Sequence, residues 1–295
     1  MKGKSNIKGY IYVIQAFIMW GVLAVYWKQL KHIGDWELIT HRIIWSFLML
    51  TAFLAITKKS QIKTIWLNSK HRNALLTTAA LIAVNWGVFI YAVNADKIVQ
   101  AGLGYYITPL VNVFLGVVIL KERLTKLKII ALALVSGAII FLTIQLGYFP
   151  YISFVLAFSF GFYGLIKKTT KVETLPSLTF ETTVLFPFAL GYQVYMHMYG
   201  GMSFTSHDSI SILLLIGTGI ITILPLYWFT NGAKLINLTT VGFFQYLGPT
   251  IMLLIGVFVY NEPFKTNEII AFSIIWLAIG LYIYSLVNED KKKKI

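Results

Sequence analysis

The sequence predicts an all-α integral membrane protein with ten transmembrane helices, arranged as two inverted five-helix repeats. Three observations support this prediction: an apolar composition, ten hydrophobic segments of membrane-spanning length, and a proline-centred stretch that occurs twice. Of the 295 residues, 58% are hydrophobic and only 12% are charged, and the mean hydropathy is +0.75. Soluble domains carry roughly 25% charged residues. The chain therefore has too little polar surface for a soluble protein of this length.

Ten apolar segments follow one another along the chain, separated by short connections. A transmembrane helix needs about 20 mostly apolar residues. The segments cover residues 9–27, 36–56, 74–94, 98–120, 128–146, 150–166, 178–198, 209–230, 239–260 and 268–287. The first segment follows Lys8 without a small-residue cleavage site, so we interpret it as an uncleaved span rather than a signal peptide. Because the connections are short, no separate soluble domain is expected to carry chemistry.

Basic residues are distributed asymmetrically over these connections. If the N-terminus is cytoplasmic, 20 of the 25 Lys and Arg residues lie on the inner side and four on the outer side, while Arg42 lies within a span. This bias is the positive-inside pattern, and it predicts that both termini are cytoplasmic. The net charge of +14 therefore indicates topological anchors, and we expect no nucleic-acid partner. The absence of cysteine excludes disulfides and thiolate metal sites, and we expect neither a metal nor a cofactor.

The proline-centred stretch occurs at Gly102–Leu124 and again, 140 residues later, at Gly242–Phe264. Six positions match without a gap: Gly102/Gly242, Tyr106/Tyr246, Pro109/Pro249, Gly116/Gly256, Val117/Val257 and Glu122/Glu262. The offset contains five spans, and an odd number of crossings inverts the second copy in the membrane. Residues 1–146 and 147–295 are therefore predicted to be inverted repeats that rock about a shared midplane site. The alternative is a chance likeness between two proline-containing helices.

Both prolines are predicted to lie near the bilayer centre. Pro109 and Pro249 each follow about eleven residues of span, or roughly 16 Å. Proline removes a backbone hydrogen bond, and the freed carbonyl is tolerated at this depth only against other helices or a water-filled cavity. The same break in both halves favours a cavity, although a packed kink without a ligand is the alternative. Pro225 with Thr222, and Pro187, predict further kinks.

Amide and aromatic side chains cluster on the spans around these prolines. Such a lining suits a pocket for a small, partly apolar molecule. The predicted substrate-binding residues are Asn85, Trp86, Tyr91, Asn94, Tyr105, Tyr106, Thr108, Pro109, Asn112, Tyr227, Trp228, Asn231, Gln245, Tyr246 and Pro249. Aromatic residues near the span ends are interpreted instead as membrane-interface residues, and these are Tyr26, Trp27, Trp36 and Tyr260.

Ionisable residues inside spans are costly and are therefore functional candidates. The candidates here are His41, Arg42 and Glu181. Inversion places His41 near the outer face and Glu181 near the inner face, roughly 15 Å apart in depth, so we expect no direct pair. Glu181 is predicted either to carry a coupling proton or to be a structural partner for helix termini or for Lys167 and Lys168. Arg42 is interpreted as snorkelling or pairing helices in preference to binding substrate.

Glu122 and Glu262 stand at equivalent ends of the two proline-containing spans. One interpretation is that they close the cavity alternately through basic neighbours such as Arg123 and Lys265. The other is that both are solvated loop charges, and the sequence does not choose between them.

Several motifs together carry a family resemblance. They are ELITHRIIWS (Glu37–Ser46), NWGVFIYAVN (Asn85–Asn94), LGYYITPL (Leu103–Leu110), FSFGFYGLIKK (Phe158–Lys168), Glu181-Thr182, LPL (Leu224–Leu226), QYLGPT (Gln245–Thr250) and Glu262. As a set they resemble the RarD family, within the EamA branch of the drug/metabolite transporter superfamily. The chain departs from that pattern at Thr108, where asparagine is usual, at Gly102, where serine is usual, and at Lys167, where arginine is common.

The resemblance implies ten spans, cytoplasmic termini, a bacterial inner or plasma membrane location, and permease or export activity. It also associates the family with chloramphenicol sensitivity. Because Thr108 removes an amide from the predicted site, the family's substrate does not transfer automatically to this chain.

Together these observations predict a secondary transporter that moves a small organic metabolite or drug by alternating access, a chloramphenicol-like molecule being one candidate. We expect export because the resemblance points that way. The expected partners are the substrate, the lipid bilayer and, if Glu181 is the coupling group, a proton. The oligomeric state stays open. No nucleotide-binding loop is found in the sequence, which disfavours direct ATP drive.

Two functions of other classes stay open. One is an integral-membrane enzyme acting on lipid or isoprenoid substrates, which usually needs clustered Asp, Glu or His residues. The five histidines are scattered, so we expect no catalytic residue. The other is a non-transporting sensor or a subunit of a larger assembly, which predicts that the midplane polar residues tolerate alanine.

Overall fold

A computed structural model describes residues 2–57, 61–95, 97–145, 147–199, 208–261 and 266–292, and these ranges are helical throughout apart from short connections. The helices are α1 (Lys2–Gln29), α2 (Asp35–Thr57), α3 (Ile62–Leu67), α4 (Ser69–Asn94), α5 (Ile98–Val118), α6 (Lys126–Ile144), α7 (Tyr151–Thr169), α8 (Thr174–Tyr199), α9 (Ser209–Leu235), α10 (Leu238–Gln245), α11 (Leu247–Tyr260) and α12 (Thr266–Lys292). The integral membrane class is confirmed by this helical content together with the length and apolar composition of the helices, described next.

Nine helical segments of the described chain are long and apolar enough to cross a membrane: α1, α2, α4, α5, α6, α7, α9, the combined α10–α11 segment, and α12. Each coincides with one of the predicted spans. The tenth predicted span, 178–198, coincides with α8, which is 26 residues long but is not among the nine. The lower hydropathy of α8 reflects Glu181 and the threonines beside it. A count of ten spans therefore stays a prediction.

The helices extend beyond the apolar segments that predicted them. Helix α4 begins at Ser69 rather than at residue 74, and α9 ends at Leu235 rather than at residue 230. Hydropathy marks only the part of a helix that faces hydrocarbon, whereas backbone hydrogen bonding continues into the polar interface. The short helix α3 is not predicted by hydropathy. It is held by its buried Ile65 and by Trp66, whose ring centroid lies 4.9 Å from that of Phe180.

The helices of residues 1–146 pack mainly on those of residues 147–295. Helix α1 packs on α9 and α11, α2 on α8 and α9, α4 on α7 and α8, α5 on α7 and α10, and α6 on α12. At the 140-residue offset, α1 corresponds to α7, α2 to α8, α4 to α9, α5 to α10–α11, and α6 to α12. Contacts between the two halves therefore occur in equivalent pairs. The contact of α1 with α9 corresponds to that of α7 with α4, and the contact of α2 with α9 corresponds to that of α8 with α4.

Glycine allows the closest of these crossings. A Cβ atom added to Gly9 would lie 2.5 Å from Cγ2 of Ile236, and one added to Gly232 would lie 2.4 Å from Cγ2 of Val13. Because lipid tails are as apolar as leucine, helices in membranes associate through close packing, which small residues permit. The α1–α9 contact therefore depends on both glycines.

The two proline-containing helices differ. Helix α5 continues through Pro109, where the Thr108 hydroxyl donates to the carbonyl of Gly104 at 2.7 Å. The second copy divides at Tyr246, and Pro249 is the third residue of α11. In the first turn of a helix the missing proline N–H has no partner to lose. The sequence predicts a break at both prolines. A helix boundary forms only in the second half, whereas α5 is continuous in the first.

Helix α9 begins with a side-chain cap. Asp208 Oδ1 accepts hydrogen bonds from the backbone N–H groups of Ile210 and Ser211 at 3.0 and 3.1 Å, and Oδ2 accepts from the Ser211 hydroxyl at 2.6 Å. The hydroxyl bond first, and then the backbone bonds, hold the pKa of the Asp208 carboxyl below its ordinary value. This is the ordinary chemistry of an N-cap aspartate.

Glu122 has a role that neither interpretation of the sequence contains. Its two carboxylate oxygens accept hydrogen bonds from the backbone N–H groups of Leu238, at 2.7 Å, and Thr239, at 2.9 Å. Glu122 therefore caps the N-terminus of α10 from the opposite half of the chain, where a negative charge is favourable. Its repeat partner Glu262 lies outside the described residues.

We expect Glu122→Ala to lower the free energy of unfolding by about 1–2 kcal/mol, because two backbone N–H groups lose their acceptor. The measurement is thermal or denaturant unfolding of the purified protein in detergent. Glu173→Ala is the matched control, since Glu173 is exposed, and it should change stability by less than about 0.5 kcal/mol. Equal effects of the two substitutions would contradict the capping role.

Candidate functional site

A cavity lies where helices of the two halves meet. It is lined by α2 and α4 from the first half and by α7, α8 and α9 from the second, and it is a narrow, partly open cleft with a cavity volume of about 20 Å³. Most of the lining is apolar, and these residues are Ile43, Leu50, Ile82, Trp86, Leu178, Leu185, Ile223 and Leu226. The polar lining residues are Arg42, Ser46, Tyr163, Glu181, Thr182 and Thr222.

Arg42 is presented to the cavity by α2. Arg42 and Ser46 are four residues apart and therefore share a face of this helix. The Arg42 Nε donates a hydrogen bond to Oγ1 of Thr222 at 3.1 Å. Its guanidinium carbon lies 4.5 Å from the ring centroid of Trp86 and 5.0 Å from that of Trp27. Within the described ranges, no carboxylate lies within 4.0 Å of this guanidinium.

Glu181 lies at the centre of a buried hydrogen-bond network. Its Oε1 accepts from Lys167 Nζ at 2.9 Å and from the Thr78 hydroxyl at 2.5 Å, and its Oε2 accepts from the Tyr163 hydroxyl at 3.4 Å. Lys167 also donates to the Ser177 hydroxyl. The side chains of Lys167 and Glu181 are 1% and 5% exposed. This ion pair joins α7 to α8, and Thr78 connects it to α4 of the other half.

The structure pairs Glu181 with Lys167, one of the two structural partners that the sequence suggests. Lys168, the other, donates instead to the backbone carbonyls of Ala233 and Ile236 at the end of α9. His41 lies on its own helix against Glu37, with Nε2 to Oε1 at 4.0 Å. Whether Glu181 also carries a proton stays a prediction.

A second group of predicted site residues lies between α5 and α10. Asn112 Nδ2 donates to Oε1 of Gln245 at 2.6 Å, and the Tyr246 hydroxyl donates to the carbonyl of Tyr106 at 3.1 Å. The carbonyl of Pro109 lies against Gly242, where an added Cβ would be only 2.6 Å away. We call this contact the α5–α10 seam. Among the described residues the buried Oδ1 of Asn112 accepts no hydrogen bond, and none of the seam residues lines the cavity.

The other predicted residues occupy several environments. Asn85 joins α4 to α7 through hydrogen bonds to the Leu156 carbonyl and the Ser159 hydroxyl, both at 2.9 Å. Asn231 accepts from the Thr174 hydroxyl at 2.9 Å and thus connects α9 to α8. Tyr91 and Tyr105 are exposed, Tyr227 and Trp228 pack against the core, and Thr108 and Pro249 are buried. Asn94 is the last residue of α4.

Of the residues predicted to form the site, the structure brings Arg42, Trp86 and Glu181 together around the cavity. The predicted site residues did not include Ser46, Tyr163 and Thr182, and Lys167 was named only as a possible structural partner of Glu181. Two spacing signals could have found some of them: Ser46 follows Arg42 by four residues, and Lys167 follows Tyr163 by four. Tyr163 and Lys167 indeed both contact Glu181.

Comparison with known proteins agrees with this architecture. The EamA-like transporter family matches residues 7–144. The uncharacterized transporter YojE of Bacillus subtilis is 41% identical over 299 residues, covering 100% of this chain and 99% of that one. Protein RarD of Salmonella typhi is 35% identical over 298 residues, covering 99% and 100%. The chloramphenicol-sensitive protein RarD of Pseudomonas aeruginosa is 26% identical over 280 residues, covering 93% of both chains.

A crystal structure with 15% sequence identity superimposes with a TM-score of 0.71, covering 94% of this chain and 96% of that one. At this identity the likeness shows the fold alone. The full-length similarity to YojE and to protein RarD carries the family assignment. The chain is a multi-pass bacterial membrane transporter and belongs to the RarD family of EamA-type transporters.

Proposed function

We propose that this transporter exports a small organic metabolite or drug by alternating access, and that the cavity between the halves is its substrate site. The observation that carries the proposal is the lining of this cavity. Helices of both halves contribute to it, and it combines apolar walls with Arg42 and Glu181. Secondary transporters built from repeats bind substrate at the repeat interface, where small relative movements open the site to one side or the other.

The proposed architecture is two inverted five-helix repeats, residues 1–146 and 147–295, with α8 as the seventh of ten spans and both termini in the cytoplasm. The equivalent pairs of helix contacts between the halves support a two-fold relation between them. The distribution of Lys and Arg supports the orientation. Helix α8 packs on α2 and α4, and its Thr179 and Glu181 are buried in protein.

The predicted binding residues take two roles in this proposal. Arg42, Trp86 and Glu181 contact substrate in the cavity, while Asn112, Gln245 and the other residues of the α5–α10 seam hold the halves together in this conformation. Because the seam joins the two halves, rocking of the halves would strain or open it. The seam thereby couples access at one side of the site to closure at the other.

Glu181 is the proposed site of proton coupling. The charged and titratable groups that face it are Lys167 and Tyr163 from α7 and Lys234 from α9, and Arg42 lines the same cavity from α2. A carboxylate that exchanges a proton during transport must break or remake its pair with Lys167. Such a change beside the cavity would alter both its charge and the contact of α7 with α8.

Export is tested by measuring accumulation of radiolabelled chloramphenicol in bacteria that lack their own copy of the transporter. If chloramphenicol is a substrate, wild-type protein should lower accumulation relative to empty vector, and an uncoupler should restore it. Trp86→Ala should weaken this effect about tenfold, because an aromatic wall of the site is lost. Trp36→Ala is the matched control, since Trp36 is 47% exposed.

If wild type and vector accumulate equally, with the protein present in the membrane, chloramphenicol is not a substrate, and an untargeted metabolite screen with proteoliposomes follows. If an identified substrate is transported equally well by wild type and Trp86→Ala, the cavity is not its site.

Family membership fits a protein that is not an enzyme. Activity that depends on a divalent metal would revive the membrane-enzyme alternative.

A further inference from the structure

We propose that the cavity is selective for organic anions: a carboxylate of the substrate binds Arg42, and its apolar body packs against the cavity wall. This inference rests on the proposed function and names the substrate class of the same site. It reverses the interpretation of Arg42 that the sequence favours, in which the side chain snorkels or pairs helices.

The first support is the hydrogen bonding of Arg42. A guanidinium presents several N–H donors in a planar fork that matches the two oxygens of a carboxylate. In the structure only Nε is used, in the bond of 3.1 Å to Thr222. Among the described residues the terminal nitrogens bond no acceptor, and Arg42 lines the cavity. The side of the guanidinium best suited to a carboxylate thus has N–H donors that no described residue uses.

The second support is the charge balance of the cavity. Glu181 is the acidic residue in its lining, and its Oε1 lies 2.9 Å from Lys167 Nζ. The negative charge of Glu181 is therefore already compensated by a neighbour on α7. Arg42 forms no ion pair within the described ranges and has two indole rings beside it. The positive charge of Arg42 therefore remains uncompensated in apolar surroundings. The attraction between this charge and an anionic group is strongest there, because the local dielectric constant is low.

The third support is the chemistry of the surrounding wall. Trp86 and Trp27 lie beside the guanidinium and restrict its orientation, which lowers the entropy lost when it binds a ligand. The remaining wall is mostly aliphatic, with Ile43, Ile82 and Ile223 among its residues. Such a wall favours a hydrocarbon body over a small inorganic ion. A neutral compound such as chloramphenicol would leave the charge on Arg42 without a partner.

The sequence itself makes a direct test possible, because Arg42, Arg72 and Arg123 are the three arginines of the chain. A variant with Arg72→Lys and Arg123→Lys retains Arg42 as its single arginine, and neither replaced side chain lines the cavity. The purified variant in lipid nanodiscs is treated with phenylglyoxal, which modifies arginine, and the rate is followed by intact mass. Protection is measured with phenylacetate, with its neutral counterpart phenylacetamide, and with inorganic phosphate.

We expect phenylacetate to protect Arg42 at a concentration about tenfold lower than phenylacetamide, because a charge-assisted pair is gained. Phosphate should protect less well than phenylacetate, because it has no apolar body. Equal protection by acid and amide, or no protection by either, would overturn the proposal. Protection by phosphate as strong as that by phenylacetate would overturn the part that concerns the apolar body.

Direct binding of radiolabelled phenylacetate gives a second measurement. Arg42→Gln should abolish the preference for the acid over the amide, Arg42→Lys should retain part of it, and Arg123→Gln should bind like wild type, since Arg123 is exposed. A preference that survives in folded Arg42→Gln would overturn the proposal. If phenylacetate protects Arg42 but no carboxylate is transported by proteoliposomes, the anion site stands and the proposed transport function fails.

Discussion

Glu181→Gln is expected to lower the free energy of unfolding by about 3–5 kcal/mol, the usual cost of removing one partner of a buried ion pair. Lys167 would remain 1% exposed with no counter-charge among the groups that now contact it. Unfolding in detergent, followed by tryptophan fluorescence, measures this loss. In proteoliposomes with an imposed pH gradient, we also expect gradient-driven transport to disappear, because the proposed proton carrier is gone.

Matched variants separate the two effects. Lys128 and Glu289 form a second ion pair at 2.8 Å, in which the Lys128 side chain is 6% and the Glu289 side chain 29% exposed. Glu289→Gln should therefore cost less stability than Glu181→Gln, because water reaches the Glu289 carboxylate. The double replacement Lys167→Met with Glu181→Leu should recover most of the stability, because apolar residues can replace a buried pair without loss. It should still fail in gradient-driven transport. If Glu181→Gln or the double variant remains fully coupled to the pH gradient, Glu181 is a structural residue only.

Gly242→Ala is expected to weaken the α5–α10 seam and to lower stability by about 1–3 kcal/mol, the range for overpacking a close contact. The added Cβ would lie 2.6 Å from the backbone carbonyl of Pro109, which cannot rotate away as a side chain can. Helices α5 and α10 would have to separate, stretching the 2.6 Å hydrogen bond between Asn112 and Gln245. Because the seam joins the halves, we expect transport to fall as well.

The repeat supplies the matched control for this prediction. Gly102 is the counterpart of Gly242 at the 140-residue offset, yet a Cβ added to Gly102 would meet nothing within 4 Å. Gly102→Ala should therefore be neutral or stabilising, by about 0.5–1 kcal/mol, as expected for alanine in place of glycine inside a helix. Unfolding of both variants in the same detergent makes the comparison. Equal effects of Gly102→Ala and Gly242→Ala on the free energy of unfolding would show that the close approach of Gly242 to Pro109 does not restrict helix packing.

The course of the helices could be predicted from local sequence. Hydropathy located the spans of α1, α2, α4 to α7, α9 and α12 to within several residues, because an apolar surface of membrane length is a property of contiguous residues. The short helix α3 and the division at Tyr246 could not be predicted in this way. Both depend on partners elsewhere in the fold, such as Phe180 for α3 and Glu122 for the start of α10.

The candidate site was predicted less completely, for a physical reason that Asn112 and Trp86 illustrate. Both are polar or aromatic residues near the middle of apolar helices. Asn112 is bonded to Gln245, 133 residues away, whereas Trp86 lines the cavity. In a membrane protein, lipid and protein interior are both apolar, so an apolar helix carries little information about which of its faces is turned inward.

The sequence by itself determined the membrane class, the position of the spans and the family, since these follow from local hydropathy and from motifs. It also identified Arg42 and Glu181 as costly residues inside spans. Only the tertiary structure decided that Glu181 is paired with Lys167 while Arg42 is bonded to Thr222 and to no described carboxylate. The distinction depends on contacts between helices far apart in the chain, and it is those contacts that determine which buried charge is compensated and which remains for a ligand.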